Sequence, residues 1–520
     1  MPIRIVEDEN NTPEQESNES NQRSSGGNGG SGFGGGGIGG ILMSLLLILI
    51  KNPKLLVVVA ILGGGYYMFS GGCSGNSVMN QAISGLAKGA NLDPAEFDKA
   101  EVFEPLSPEG NTLPERVSLE KYAPKRLNQG QQGSCVGWGS SYAARTILQS
   151  IATGKDPNSV AFSPSFLYNQ IGLEGCQGSY VQTAMDKLTN VGDLPFTQFG
   201  YDENSCDTKP NSSQISAASQ FRMKGANRLT KNGDDQTLDL LAMKQNIAQG
   251  APVVIGMMVG GSFMQDMMGA KVWRPTQDDY DMAGFGGHCM CVIGYDDYLE
   301  GGCFQLMNSW GEEWGQKGLA WVRYKDFKHF AKEAYGVYPM GRADVPTTQK
   351  FKVNVGLLSN AIKQLIGFKP IDKNVFETTT PLNKGDKFKI QIQNSTACYT
   401  YVFGQEVDGS SYILFPYTAK HSPYCGIVGT RVFPKDYSLQ ADDKGTKDYM
   451  AVVITKQPID YKKLNDAINT SKQATYATKV NEVLAAELAK VNYTVSTTIN
   501  IDAEENGKNA TAFILTINKK

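Results

Sequence analysis

Histidine is scarce: His288, His329 and His421 are the only three in 520 residues. Chemistry that needs an imidazole therefore has few places to sit. Nine cysteines are too few for a disulfide scaffold in a chain this long, and their odd number leaves at least one unpaired. No clustered basic face accompanies the net charge of −3, so nucleic acid is not an expected partner. Internal repeats are missing. So is any cluster of histidines and carboxylates, and neither a metal nor another cofactor is expected. What remains is a globular balance of 41% hydrophobic and 19% charged residues. The chain is too long for one core, which implies two or three domains.

Nor does any apolar run reach the roughly 20 residues that cross a bilayer. Residues 1–40 form an acidic, then glycine-rich tail with little to bury, expected to be disordered. Ile38–Ile50 and Leu55–Phe69 follow, separated by Lys51-Asn52-Pro53-Lys54. With the lysines snorkelling, residues 41–72 read as one membrane segment, and a hairpin of two short segments is the competing reading. Arg23, Lys51 and Lys54 precede the segment and Lys88 is the nearest basic residue after it. The positive-inside rule then puts the N-terminus in the cytoplasm and the remainder outside. Residues 73–112 read as a linker, 113–342 as a globular domain of helices and strands, and 343–385 as a second linker with one helical candidate, Leu357–Ile366. Residues 386–520 are strand-rich, with an Asp408-Gly409 turn signal and a helix over about Ala474–Val491.

Two segments of the middle domain carry chemistry. A glycine-broken loop, Gln129 to Ser134, runs into Cys135 and then into Val136, Ser140, Ala143, Ala144, Ile147 and Ile151 at helical spacing, with Gly154 as a C-cap. Cys135 thus opens a buried helix, whose N-terminal dipole favours a thiolate. Gln129 offers a side-chain donor to an oxyanion. A small buried hydrophobe is the plain alternative for a free cysteine. The second segment is a strand, Gly286 to Tyr295, that opens on His288, then a turn over Asp296–Gly302, then a strand ending at Asn308. If the hairpin centres on Tyr298, His288 and Asn308 are cross-strand neighbours. The Asn carbonyl would fix one imidazole nitrogen and leave the other for a thiol. Trp310 is placed to shield that bond. A satisfied core histidine is the alternative; a metal held with Cys289 or Cys291 fits poorly, because successive strand residues face opposite ways.

Together these segments resemble the papain family of cysteine peptidases. The family's Gln-Gly-x-Cys-Gly-Ser-Cys-Trp is similar to Gln129–Val136, and its Asn-Ser-Trp-Gly-x-x-Trp-Gly-x-x-Gly stands in full from Asn308 to Gly318. Gly175-Cys176-Gln177-Gly178-Ser179 is similar to its Gly-Cys-Asn-Gly-Gly, which holds substrate in extended form. The resemblance covers about 113–340 and implies an α+β fold of a helical half and an antiparallel β half. It implies Cys135 as nucleophile, His288 as base and acid, Asn308 as orienter and Gln129 in the oxyanion hole, with Gly178, Ser179 and Trp310 lining the groove for a peptide or protein substrate. There are departures. Gln132 replaces the family's disulfide cysteine, Val136 its tryptophan and Ser179 a glycine, so Cys176 needs another partner, for which Cys206 is nearest. No segment resembles the family's long helical propeptide.

The C-terminal region loosely resembles a bacterial β-rich domain of unknown function, through Gly385-Asp386 and Tyr412–Pro416. It is a candidate for binding a protein partner, and Cys425 is a candidate to bridge Cys398. The expected protein is a membrane-anchored cysteine peptidase. The alternatives are a transglutaminase-like acyl transferase and a silent binding protein on the same scaffold.

Overall fold

The helix opened by Cys135 runs through Cys135–Gly137, a π-wound stretch Trp138–Arg145 and Thr146–Thr153. It ends at Gly154, whose left-handed φ of 66° closes the last turn onto Ser150. In the computed structural model, residues 3–7, 89–231, 236–338, 351–503 and 507–520 are described. Around the helix pack Pro164–Ile171 and Val181–Asn190. They form the helical half of the middle domain.

The other half is a sheet in which Ala226–Arg228, Ala331–Val337, Val253–Val259, Gly286–Asp296, Cys303–Met307, Leu319–Arg323 and Val272–Trp273 lie side by side. Gly286–Asp296 is its central strand, buried along nearly its whole length. It pairs with Cys303–Met307 as Cys291–Met307 and Val292–Leu306, then slips at a bulge to Gly294–Gln305. The expected hairpin exists, but its register differs from a turn centred on Tyr298. His288 lies directly opposite Met257, on the other neighbouring strand. Asn308, just past the strand end, reaches His288 on a diagonal. The turn is the physical reason: it closes with Asp296 opposite Cys303, which centres it between Leu299 and Glu300, and the bulge moves the pairing one residue back.

Cys176 and Cys206 are joined by a disulfide across 30 residues of sequence. Cys398 and Cys425 are not joined. They face each other across paired strands, yet both remain buried thiols. The Cys425 sulfur contacts Thr400 Oγ1 at 3.6 Å.

The C-terminal domain is larger than expected. Phe351–Ser359, expected in a linker and partly as a helix, is a strand. Phe351, Val353, Val355 and Leu357 all enter the core, a period of two rather than 3.6. Leu365–Ile366, Phe368–Asp372 and Val375–Thr378 are strands as well. Two sheets form a sandwich with an apolar core between them. Helices Tyr461–Thr470 and Tyr476–Leu484 cover one outer face through Leu464, Ile468, Val480 and Leu484. The first of these was not expected, and the second is shorter than Ala474–Val491.

The tail also differs in part from a disordered segment. Ile3–Glu7 is a strand, paired antiparallel to Tyr437–Ala441 with Ile3 opposite Ala441. Ile3 is fully buried in the sandwich core. The Tyr412 hydroxyl accepts from its N–H at 3.0 Å and donates to its carbonyl at 2.9 Å. The alternation in Ile-Arg-Ile-Val-Glu suits such an edge strand. The apolar stretch 41–72 lies outside the described residues, and among those described no helix is long and apolar enough to cross a membrane.

The Cys176–Cys206 loop leads to a prediction. Loop-closure entropy for 30 residues corresponds to about 3–4 kcal/mol. Cys206→Ser should lower the denaturant midpoint of the middle domain and leave the transition of the C-terminal sandwich in place. Chemical denaturation followed by intrinsic fluorescence and amide exchange measures both. An unchanged first transition would mean that the hydrogen bonds around this loop hold it alone.

Candidate active site

Gln129, Cys135, His288 and Asn308 converge at the junction of the helical and β halves, all within 3% of full burial. The loop that carries Gln129 turns at Gly130, whose φ of +65° and approach to the Glu203 carboxylate leave no room for a side chain. The Gln129 amide donates to the Gln132 carbonyl at 2.9 Å and accepts from Ser309 Oγ at 2.6 Å. It is thereby tied to the residue following Asn308. The Tyr201 hydroxyl donates to the Gln129 carbonyl at 2.6 Å and contacts Ser134 Oγ at 2.7 Å. Gln132 donates to the Asp202 carbonyl at 3.1 Å. Residues 201–206 thus brace the loop before Cys135 and are themselves tied to Cys176 by the disulfide.

His288 Nε2 lies 2.7 Å from Asn308 Oδ1, and the imidazole stacks on Trp310 with ring centres 4.5 Å apart. The bond to the Asn carbonyl selects the tautomer that carries its proton on Nε2. His288 Nδ1 is then free to accept, and among the described residues it has no hydrogen-bond partner. The next residue, Cys289, donates its backbone N–H to Cys135 Sγ at 3.4 Å. This contact seats the thiol beside the histidine strand. Trp310 covers the imidazole and so acts on the pair itself.

The cleft is occupied. Residues 89–92, expected in a linker, lie across it in extended form. Ser179 N–H donates to the Gly89 carbonyl at 3.1 Å, Asn91 N–H to the Ser179 carbonyl at 2.9 Å, and Ala90 N–H to the Gly287 carbonyl at 3.1 Å. Ala90 and Ser179 form a parallel bridge. A Cβ on Gly89 would sit 2.6 Å from Cys135 Sγ, so only a glycine fits above the thiol. Leu92 packs against Gly256 and Gly287. Ser179 therefore offers its backbone to an extended chain, as its motif implies. Its hydroxyl turns away to the Ile171 carbonyl at 3.0 Å and leaves the groove clear. Gly178 does not pair with residues 89–92. Its N–H goes to the Tyr168 hydroxyl and its carbonyl to Leu173 N–H.

Burial of the site favours the neutral forms. Removal from water pushes the Cys135 thiol up to about 12, against the partial relief of nearby backbone N–H groups. The same burial pulls His288 down to about 4, against the bond to Asn308. The pair is held neutral, as thiol and imidazole.

Sequence reasoning missed Gly89 and Tyr201. Residues 89–92 contain nothing that separates an occluding strand from a linker. Tyr201 precedes Cys206 in a polar loop, and its bond to Gln129 arises only from tertiary folding.

Residues 114–340 match the family model described as papain family cysteine protease. Residues 382–458 match a domain of unknown function, DUF4384. An uncharacterized peptidase C1-like protein of Acanthamoeba polyphaga mimivirus is 27% identical over 223 residues, covering 41% of this chain and 67% of its own length. A cathepsin B-like protein, CP2, of Giardia intestinalis is 26% identical over 205 residues, covering 38% of this chain and 62% of its own. The chain thus spans about two thirds of the first relative and somewhat less of the second. Xylellain, a cysteine protease from Xylella fastidiosa, aligns with a TM-score of 0.40 at 22% identity, over 49% of this chain and 96% of that one. Residues 114–340 are thus similar to papain-family cysteine peptidases, and a stretch similar to DUF4384 follows them in the same chain.

Proposed function

We propose that this protein hydrolyses peptide bonds through a Cys135 thioester and that residues 89–92 keep it latent. The observation that carries the reading is the single cleft in which His288 is oriented by Asn308 and an extended chain lies over Cys135. Once the segment leaves, a substrate takes its place along Ser179. His288 Nδ1 accepts the Cys135 proton, and the thiolate attacks the peptide carbonyl carbon. Gln129 and the Cys135 backbone N–H hold the oxyanion. His288 then protonates the departing amine, and the acyl group stays on Cys135 as a thioester. Water, deprotonated by His288, releases the acid and restores the thiol.

Membrane attachment through residues 41–72 belongs to the same proposal, with an altered topology. Within one chain, the pairing of Ile3–Glu7 with Tyr437–Ala441 favours one membrane side for both. A single crossing between them would separate the two strands. A hairpin of the two short runs Ile38–Ile50 and Leu55–Phe69 that enters and leaves on one side, or an interfacial attachment, keeps them together. The disulfide between Cys176 and Cys206 favours an oxidising, extracytoplasmic side.

Cys135→Ala should abolish peptide hydrolysis and covalent labelling by a thiol-directed epoxide, read by intact mass. His288→Ala should lower turnover by about 10²–10⁴-fold, and Asn308→Ala far less, because it orients the ring without carrying the proton. Equal losses in the two variants, with folding preserved, would contradict these roles.

Gly89→Val should raise the rate of epoxide labelling, since its Cβ would collide with Cys135 Sγ and backbone atoms of Gly133. A labelling rate equal to that of the parent chain would mean that residues 89–92 do not restrain the thiol.

Tags at the two ends should both be cut by protease added to intact cells. Cleavage of the C-terminal tag alone would restore the single crossing. Protection of both would place the peptidase in the cytoplasm.

A further inference from the structure

The segment that fills the cleft does not end there. After Asn91 it forms the short helix Pro94–Phe97 and passes between the two domains as far as Asn111. On one side it is bonded to the peptidase domain. Phe103 N–H donates to the Arg228 carbonyl, Arg228 N–H donates to the Glu101 carbonyl, and the Gln245 amide holds both backbone groups of Leu106. On the other side it is bonded to the C-terminal domain. Val102 N–H donates to the Lys420 carbonyl at 2.6 Å, and Ser422 N–H to the Val102 carbonyl at 3.0 Å. Ser107 N–H donates to the Thr430 carbonyl at 2.8 Å, and Arg431 Nε to the Glu104 carbonyl at 3.0 Å. Asp98 bridges Arg228 at 2.7 Å and Lys420 at 2.8 Å, one partner from each domain.

We propose that the C-terminal domain is the clamp of the latent state: its docking onto residues 98–111 holds residues 89–92 over Cys135, and its undocking starts their release. This gives a role to the DUF4384-type domain, and it rests on Cys135 being the nucleophile. The argument is one of shared bonds. Val102 spends its own N–H and carbonyl on the C-terminal domain, while its neighbours Glu101 and Phe103 pair with the peptidase domain. Removal of the C-terminal domain strips one edge of this strand and exposes backbone groups that are now buried, each a loss of about 0.5–1.5 kcal/mol as a net hydrogen bond. Over the cleft itself the segment has only its bonds to Ser179 and Gly287 and the packing of Leu92. Direct contacts between the domains lie beside the segment, where the Tyr338 ring packs edge-on against Tyr424 with centres 4.6 Å apart and closes over Gly426. The Gln249 amide pairs with both backbone groups of Val428, and Lys435 meets Asp239 at 3.1 Å. A ligand of the C-terminal domain that competes for residues 420–430 would therefore act on the cleft without touching it.

The test uses the full chain and three variants outside the cleft. Asn111→Ala removes the amide that bonds Thr430 and the Ser107 carbonyl. A second variant combines it with Gln249→Ala. Lys420→Glu places like charge against Asp98. Amide exchange over residues 98–111 reads undocking, and the rate of epoxide labelling at Cys135 reads release. Both rates should rise together across the series, reaching about tenfold for the double variant, as a tenfold larger open population requires, with the same final stoichiometry of one label. Faster exchange with unchanged labelling would overturn the clamp. So would unchanged exchange in all three variants, because the seam would then not depend on these contacts. Gly89→Val separates this outcome from failure of the nucleophile assignment: if Cys135 stays unlabelled even there, the peptidase reading fails and not the clamp.

Discussion

Backbone pairing of residues 89–91 with Ser179 and Gly287 sets the state of everything around Cys135. It lies over Cys135 Sγ in a site where the thiol and the imidazole are both fully buried, and burial favours the neutral form of each. It uses the Ser179 backbone groups that an extended substrate would need. It also demands a glycine over the sulfur, because any Cβ there collides with Cys135. A segment tied to the cleft by its own chain acts at an effective concentration of about millimolar. Substrates with KM values of about 1 μM–1 mM compete poorly against it while it stays folded in place. On the proposed reading, tethering alone suffices for latency.

The site was legible in the sequence because its residues sit in short local motifs. Gln129 and Cys135 share one loop and helix start. His288 and Asn308 share one hairpin, and the hairpin alone required them to be near each other. The bond between them survives an error in the expected register, since a diagonal pair lies within reach of both side chains. Cys176–Cys206 was legible for another reason. Removal of the usual partner at Gln132 left Cys176 in need of one, and Cys206 was nearest in the chain.

What was not legible depends on contacts between distant segments. No local pattern in residues 89–112 announces that they cross a cleft and then a domain seam. Phe351–Ser359 carries a period-two pattern, but the Thr-, Pro- and Lys-rich stretch after it suggested a linker. Ile3–Glu7 finds its partner more than 400 residues away, at Tyr437–Ala441. Cys398 and Cys425 show the opposite failure. Adjacency was expected and is present, but the two cysteines remain free thiols.

The two strands contributed from the N-terminal part of the chain obey the same physics. Ile3–Glu7 completes an edge of the C-terminal sandwich, and residues 101–103 fill the seam between the domains. Each is a short segment whose unpaired edge would otherwise face water or another chain. Each is held by a few backbone hydrogen bonds, and only Ile3 in the first strand buries a side chain fully in the core. Such attachments are strong enough to set a ground state and weak enough to exchange, because their net energies are small beside those of a packed core. The sandwich therefore joins the two ends of the regulatory path. It receives the N-terminus on one sheet edge, and at residues 420–431 it grips the segment that covers the thiol. In the proposed clamp, undocking of the sandwich reaches Cys135 through covalent continuity of residues 89–111, with no need for the peptidase core to change shape.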